Sequence, residues 1–269
     1  MSNNVYTIIE NLSEFGEILQ ENWEKGYEVI DVESGDDILF GVFQEADGLS
    51  GFAVGGSYDE FTTQINTKWE QGVEIVEAEY IDGEGLGIFQ EPVDANGRSN
   101  SPVTLDELKT QINSQWNKGL DLVDVEYGDG GWVGVYQKRT GDNGYGIAES
   151  LDEFGAQFNT HFNQGRGLDL VGVEYGDGKW FGIYQNTPSF SGYEIASSID
   201  EFTTQITTWE EQGFDLIDVG YGDSTWFGVY EITTSYSLDL YMTIGLAEHN
   251  MAMQGINAVA AGANSLSTF

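Results

Sequence analysis

An internal repeat constrains this chain more than any other feature. Trp23, Trp69, Trp116, Phe162 and Trp209 follow one another at intervals of 46, 47, 46 and 47 residues. Glycine comes three to five positions after each: Gly26, Gly72, Gly119, Gly165 or Gly167, and Gly213. Every copy closes on Gly-(Val/Ile)-(Phe/Tyr)-(Gln/Glu), at Gly41 to Gln44, Gly87 to Gln90, Gly134 to Gln137, Gly182 to Gln185 and Gly228 to Glu231. A fixed period of this length marks a supersecondary unit that buries its apolar face only against its neighbours. The copies fall near 4–47, 48–92, 93–140, 141–188 and 189–234, so a repeat domain is expected over 1–234 and a different segment over 235–269.

Each copy reads as strand, helix, strand, strand. The first strand is Tyr6 to Ile9, Gly51 to Val54, Tyr145 to Ala148 and Tyr193 to Ala196. Copy three departs, with Pro102 and the polar run Asn96 to Ser99 in its place. Asn11, Ser57, Thr104, Ser150 and Ser198 each precede Glu14, Glu60, Glu107, Glu153 and Glu201 by three residues, the spacing of a capping box. Phe61, Ile65 and Trp69 then share one helix face, and Gly72 supplies a left-handed stop. In the last two strands, strict alternation puts Val123, Val125 and Tyr127 on one face and Leu122, Asp124 and Glu126 on the other. Asp129-Gly130 and Asp177-Gly178 suit the positive φ of a tight hairpin turn.

Five βαββ units of about 46 residues predict an α+β repeat protein. An open stack needs distinct end units, yet copies one and five are nearly as regular as the middle ones. The expected architecture is therefore a closed, α/β-propeller-like ring with helices outside, copy three being its weakest blade. In unit count and element order this arrangement resembles the pentein proteins.

Charge narrows the partners. The chain carries 46 Asp+Glu against 9 Lys+Arg, a formal net charge of −37, which excludes nucleic acid and anionic membrane as partners. Aromatics at 13% separate it from disordered acidic chains. The absence of cysteine removes disulfides, thiolate metal sites and thiol nucleophiles. The N-terminus lacks a basic region followed by an apolar one, and no long apolar run suggests a membrane span, so a cytoplasmic location is expected, with signal-less export left open.

An enzyme built on repeats should show one reactive cluster that breaks the consensus. The two histidines, His161 and His249, stand apart from any Ser-His-Asp, Cys-His or metal-ligand spacing. Pentein catalysts use a cysteine or an acid–histidine set, so that resemblance brings no activity with it. The carboxylates offer more. Asp31 and Glu33, Glu77 and Glu79, and Asp124 and Glu126 lie at i, i+2 on equivalent strands, while Glu174 and Asp218 are single counterparts. They read either as oxygen ligands for calcium or another hard cation, or as a solvated strand face. Glycoside hydrolysis also needs two acids, but acids are too abundant here for one pair to stand out. Trp132, Trp180 and Trp226 begin equivalent strands and read either as core or as a stacking platform for glycans.

Beyond residue 234 the repeat stops. Leu240-Tyr241, Gly245-Leu246-Ala247, His249-Asn250, Gln254, Asn257 and Ala260-Ala261 lie in a segment of helical propensity rich in small residues. This run resembles RebB-type proteins of the R-body, or killing-trait, family, over about the last 30 residues. One glutamine, Gln254, stands where that family has several. The resemblance implies polymerisation in a bacterial cytoplasm, with Tyr241, Gly245, Leu246, His249, Asn250 and Gln254 as assembly residues. The expected function is a non-enzymatic, self-assembling structural protein without a cofactor, its partners being copies of itself. The alternative is a multivalent module binding glycans or divalent cations. Residues 180–269 contain no Lys or Arg, so association should strengthen as acid or cations neutralise the carboxylates.

Overall fold

A computed structural model describes residues 4–9, 12–45, 50–55, 73–81, 84–90, 96–98, 102–138, 141–163, 168–187 and 191–232, with positions 60, 61, 63, 64, 67 and 68. The chain divides after Thr233, and the described residues all precede that point.

Unit one runs β1 (Asn4–Ile9), α1 (Leu12–Glu24), β2 (Tyr27–Gly35) and β3 (Ile38–Glu45). Unit two contributes β4 (Ser50–Gly55), β5 (Glu74–Ile81) and β6 (Glu84–Gln90), with helical residues described between β4 and β5. Unit three has β7 (Asn96–Arg98), α2 (Leu105–Trp116), β8 (Asp121–Gly128) and β9 (Gly131–Gln137). Unit four has β10 (Asn143–Ala148), α3 (Leu151–Asn163), β11 (Asp169–Gly176) and β12 (Lys179–Gln185). Unit five has β13 (Ser191–Ala196), α4 (Ile199–Glu211), β14 (Phe214–Gly222) and β15 (Thr225–Ile232). In every unit the last strand is the centre of a three-stranded antiparallel sheet, as in the order β1-β3-β2.

This corrects the expected fold class. The chain is mostly β rather than α+β, and its strands form five separate small sheets. Among the described residues no ladder joins one sheet to the next, and the sheets are not closed into a barrel or an α/β-propeller-like ring. The expected C-terminal helical tail lies outside the described residues. Copy three is also corrected. Asn96–Arg98 of its polar run do form a strand, because β9 offers a partner edge: Asn96 faces Gln137, and Val103 bridges to Trp132. Among the described residues, no helix is long and apolar enough to cross a membrane.

Local chemistry accounts for the elements. Thr104 and Glu107 make the full capping box of α2. In α3 and α4 the serine still caps, but the glutamate reaches one residue further back. Glu153 accepts from Glu149 N–H and Glu201 from Ser197 N–H, both at 2.9 Å. The hairpin turns place Asp129 at φ 50° and Gly130 at φ 76°, the left-handed region that this sequence pair tolerates. The recurrent glycine of the closing motif has a packing reason. A Cβ at Gly182 would stand 2.7 Å from the Phe154 ring, and one at Gly228 would stand 2.8 Å from Phe202. The helix aromatics rest on bare backbone there.

A β-bulge overturns the strict alternation read from the sequence. All five middle strands shift register at one point, between Leu122 and Asp124 in β8 and at equivalent places in β2, β5, β11 and β14. One extra residue reverses the facing of what precedes it. Leu122 therefore joins Val125 in the core beneath α2, with Leu108, Ile112 and Tyr136, rather than sharing a face with Asp124. Cores are shared between units. Phe181 and Ile183 of unit four complete the unit-three core, Phe227 and Val229 of unit five that of unit four, and Phe40 and Val42 of unit one that of unit five.

Candidate functional site: a buried carboxylate cluster

The bulge aims one face of each middle strand toward the middle strands of other units. β2 packs against β5 and β14, β5 against β8, β8 against β11, and β11 against β14. The i, i+2 acids sit on that face. Asp31, Glu33, Glu79, Glu126 and Glu174 are 4–8% exposed, and Asp124 and Asp218 are half-buried. Glu77 occupies the equivalent place on β5, though its side chain is outside the described set. Units four and five have Gly172 and Gly220 where a second acid would stand. The solvated-face reading of these acids is thereby corrected.

Three of the aspartates tie units together through backbone. Val219 N–H of unit five donates to Asp31 Oδ2 of unit one at 2.7 Å. Val173 N–H of unit four donates to Asp218 Oδ1 of unit five at 2.8 Å. Ala78 N–H of unit two donates to the Asp124 carboxylate of unit three. The glutamates lie one step along. Tyr127 N–H is shared between Glu126 and Glu174, at 3.2 Å each, which brings carboxyl groups of two units onto one donor.

Electrostatics follow from burial. Desolvation, the largest cause, pushes Asp31, Glu33, Glu126, Glu174 and Asp218 well above the ordinary carboxylate range, and repulsion among cluster members adds to it. Asp124 is raised to about 7 by the same loss of water, partly opposed by the N–H groups of Val125 and Ala78. The charges that bear on these groups are other members of the cluster. Three lysine ion pairs, Lys25–Glu21, Lys109–Asp106 and Lys179–Glu149, lie elsewhere with exposed carboxylates.

The sequence therefore located most of this site while leaving its role open. Of the acids named as metal ligands, Asp31, Glu33, Glu79, Asp124 and Glu126 come together, with Glu174 and Asp218 added, while the Glu77 side chain lies outside the described set. Among the described residues, however, no three His, Asp or Glu side chains are placed to hold a metal ion, so the cluster is not identified as a calcium site. Trp132, Trp180 and Trp226 are 1%, 2% and 0% exposed and offer no face to a glycan. They pack instead on Tyr127, Tyr175 and Tyr221 of their own hairpins, at ring separations of 4.8–5.1 Å. The backbone donors Val219, Val173, Ala78 and Tyr127 carry no side-chain signal and were not foreseeable. His161 lies on α3 with its side chain outside the described set. Tyr241, Gly245, Leu246, His249, Asn250 and Gln254 fall outside the described residues. No known protein-family model matches the chain, and no curated protein matches it.

Proposed function

We propose that the chain is a non-enzymatic, self-assembling structural protein, with the repeat body as a rigid acidic block and residues 235–269 as the segment through which copies dock or polymerise. One observation carries the reading: the acids that a catalyst would present to a substrate are instead buried between units and bonded to neighbouring backbone, as Asp31 is to Val219. Their burial counts against hydrolysis of a glycoside, whose oxygen must reach both carboxyl groups. The residues of 240–261 that resemble RebB-type proteins support a polymer in a bacterial cytoplasm.

Electron microscopy and light scattering on the full chain test this, with a chain ending at residue 234 as comparison. The full chain should form particles or filaments many copies in size, and the shortened one should stay small. Equal sizes would remove the assembly role. The cation-binding alternative draws on carboxylates without counter-charge, and a flat calorimetric trace at about millimolar calcium would dispose of it.

A further inference from the structure

The five middle strands meet on carboxyl groups and on little else that is charged. β2 presents Asp31 and Glu33, β5 Glu79, β8 Asp124 and Glu126, β11 Glu174 and β14 Asp218, with Glu77 at the remaining acidic position. The strands hydrogen bonded beside them set apolar residues opposite these acids, and their one lysine, Lys179 at the start of β12, faces Gly176 and pairs with Glu149. Val42 and Phe40 lie opposite Asp31 and Glu33, Leu86 opposite Glu79, and Val135 and Val133 opposite Asp124 and Glu126. Phe181 lies opposite Glu174 and Val229 opposite Asp218. Each sheet's own helix packs on its other face, as Leu108 and Ile112 do against Leu122 and Val125, while the helix of an adjoining unit meets the acid-bearing face through apolar residues, as Phe202 does at Phe40.

We propose that this cluster is a proton-operated latch: with protons on it the five middle strands close on one another, and with the protons lost they are driven apart. Glu126 and Glu174 are buried and both accept the single N–H of Tyr127, at 3.2 Å each, so carboxyl groups of units three and four share one donor. A proton on either supplies a second donor, and losing it leaves a buried like-charge repulsion between the two units. Asp31, Asp124 and Asp218 differ, because each accepts an N–H from a neighbouring unit that no other cluster member shares, whether protonated or not. They hold the strands in register while the glutamates sense the proton. Burial that raises these groups makes the folded body bind more protons than the unfolded chain, from the ordinary carboxylate range up to the raised values. In that window stability falls as pH rises, the reverse of ordinary acid unfolding. The latch belongs to the repeat body and does not depend on assembly.

Thermal unfolding of the full chain tests it, followed by circular dichroism from about pH 5 to about pH 8, in dilute salt and in about 1 M NaCl. The midpoint should fall by at least about 3 °C per pH unit in both salts. A midpoint that is flat or rises with pH overturns the latch. So does a fall that vanishes in 1 M salt, which would assign it to exposed acids, or one that grows with protein concentration, which would assign it to association. The combined variant Glu33→Gln, Glu126→Gln, Glu174→Gln should flatten the slope. Glu17→Gln, Glu45→Gln, Glu84→Gln, which removes as many exposed charges, should leave it. If the first variant fails to fold, the infrared carbonyl band of protonated carboxyl groups in the native chain at about pH 7 decides. Its presence supports the latch and its absence overturns it.

Discussion

The N–H of Val219 donates to Asp31 Oδ2 at 2.7 Å, across 188 residues of chain. The bond joins the last repeat to the first, and the same kind of bond joins unit four to unit five through Val173 and Asp218. A second tie lies beside it. Tyr221 rests its ring over Gly35, where a Cβ would stand 2.3 Å away, and its hydroxyl reaches Asp36 at 2.5 Å. Backbone, carboxylate and aromatic ring thus make one junction from three sequence-distant sources.

Removing the acceptor while leaving the donor buried exposes the value of that tie. Asp31→Ala should destabilise the body by about 1–3 kcal/mol, since Val219 N–H loses its partner. Asp31→Asn keeps an acceptor oxygen and removes a charge. It should cost little at acid pH and become stabilising relative to the native chain as pH rises. Denaturant unfolding of both variants at two pH values checks this. Equal losses for Asn and Ala at both pH values would contradict it.

The closing-motif glycines should resist even a methyl group. Gly182→Ala and Gly228→Ala would each drive a Cβ into the helix phenylalanine of their own unit, within 2.8 Å. Overpacking of this kind costs about 1–3 kcal/mol. Gly51→Ala, where nothing lies within 4 Å of the added carbon, is the control and should be tolerated. Chemical denaturation midpoints separate the two cases.

Local chemistry was legible in the sequence and long-range packing was not. The helix starts at Thr104 and Ser198 and the left-handed aspartates and glycines of the turns follow from neighbours within four residues. The bulge at Val123 was invisible, because counting by two carries no mark of an inserted residue, and it moved Leu122 to the opposite face. The burial of Glu126 and Glu174 was equally hidden, since an alternating acidic face looks the same beside water as beside other strands. A hint existed in the paired strands, where Val135 and Phe181 give the acids an apolar setting. Element order does not fix how sheets join, and the expected closed propeller-like ring gives way to five separate sheets.

Each hairpin tryptophan should behave as a core residue. Trp132→Ala, Trp180→Ala and Trp226→Ala should each cost about 3–5 kcal/mol, consistent with rings that are at most 2% exposed. Tryptophan fluorescence of the native chain should respond weakly to an aqueous quencher at these positions. Strong quenching that a glycan prevents would restore the platform reading.

The pH profile should also turn down at its acid end, for a separate reason. Glu107 and Glu201 are held below the ordinary carboxylate range by hydrogen bonds at helix starts, from Thr104 and Ser197 respectively. A carboxylate lowered by folding contributes stability above its unfolded value, and that contribution is lost as pH falls through its folded value. The buried cluster has the opposite sign, losing stability as pH rises from the ordinary range. The two windows meet near about pH 4, so maximal stability should lie on the acid side of neutrality and decline on both flanks. Thr104→Ala should remove about 1 kcal/mol and soften the acid flank while leaving the alkaline one intact. Glu126→Gln with Glu174→Gln should do the reverse. If either pair of changes moved both flanks together, the helix caps and the buried cluster would not be independent, and the two-flank account would fail.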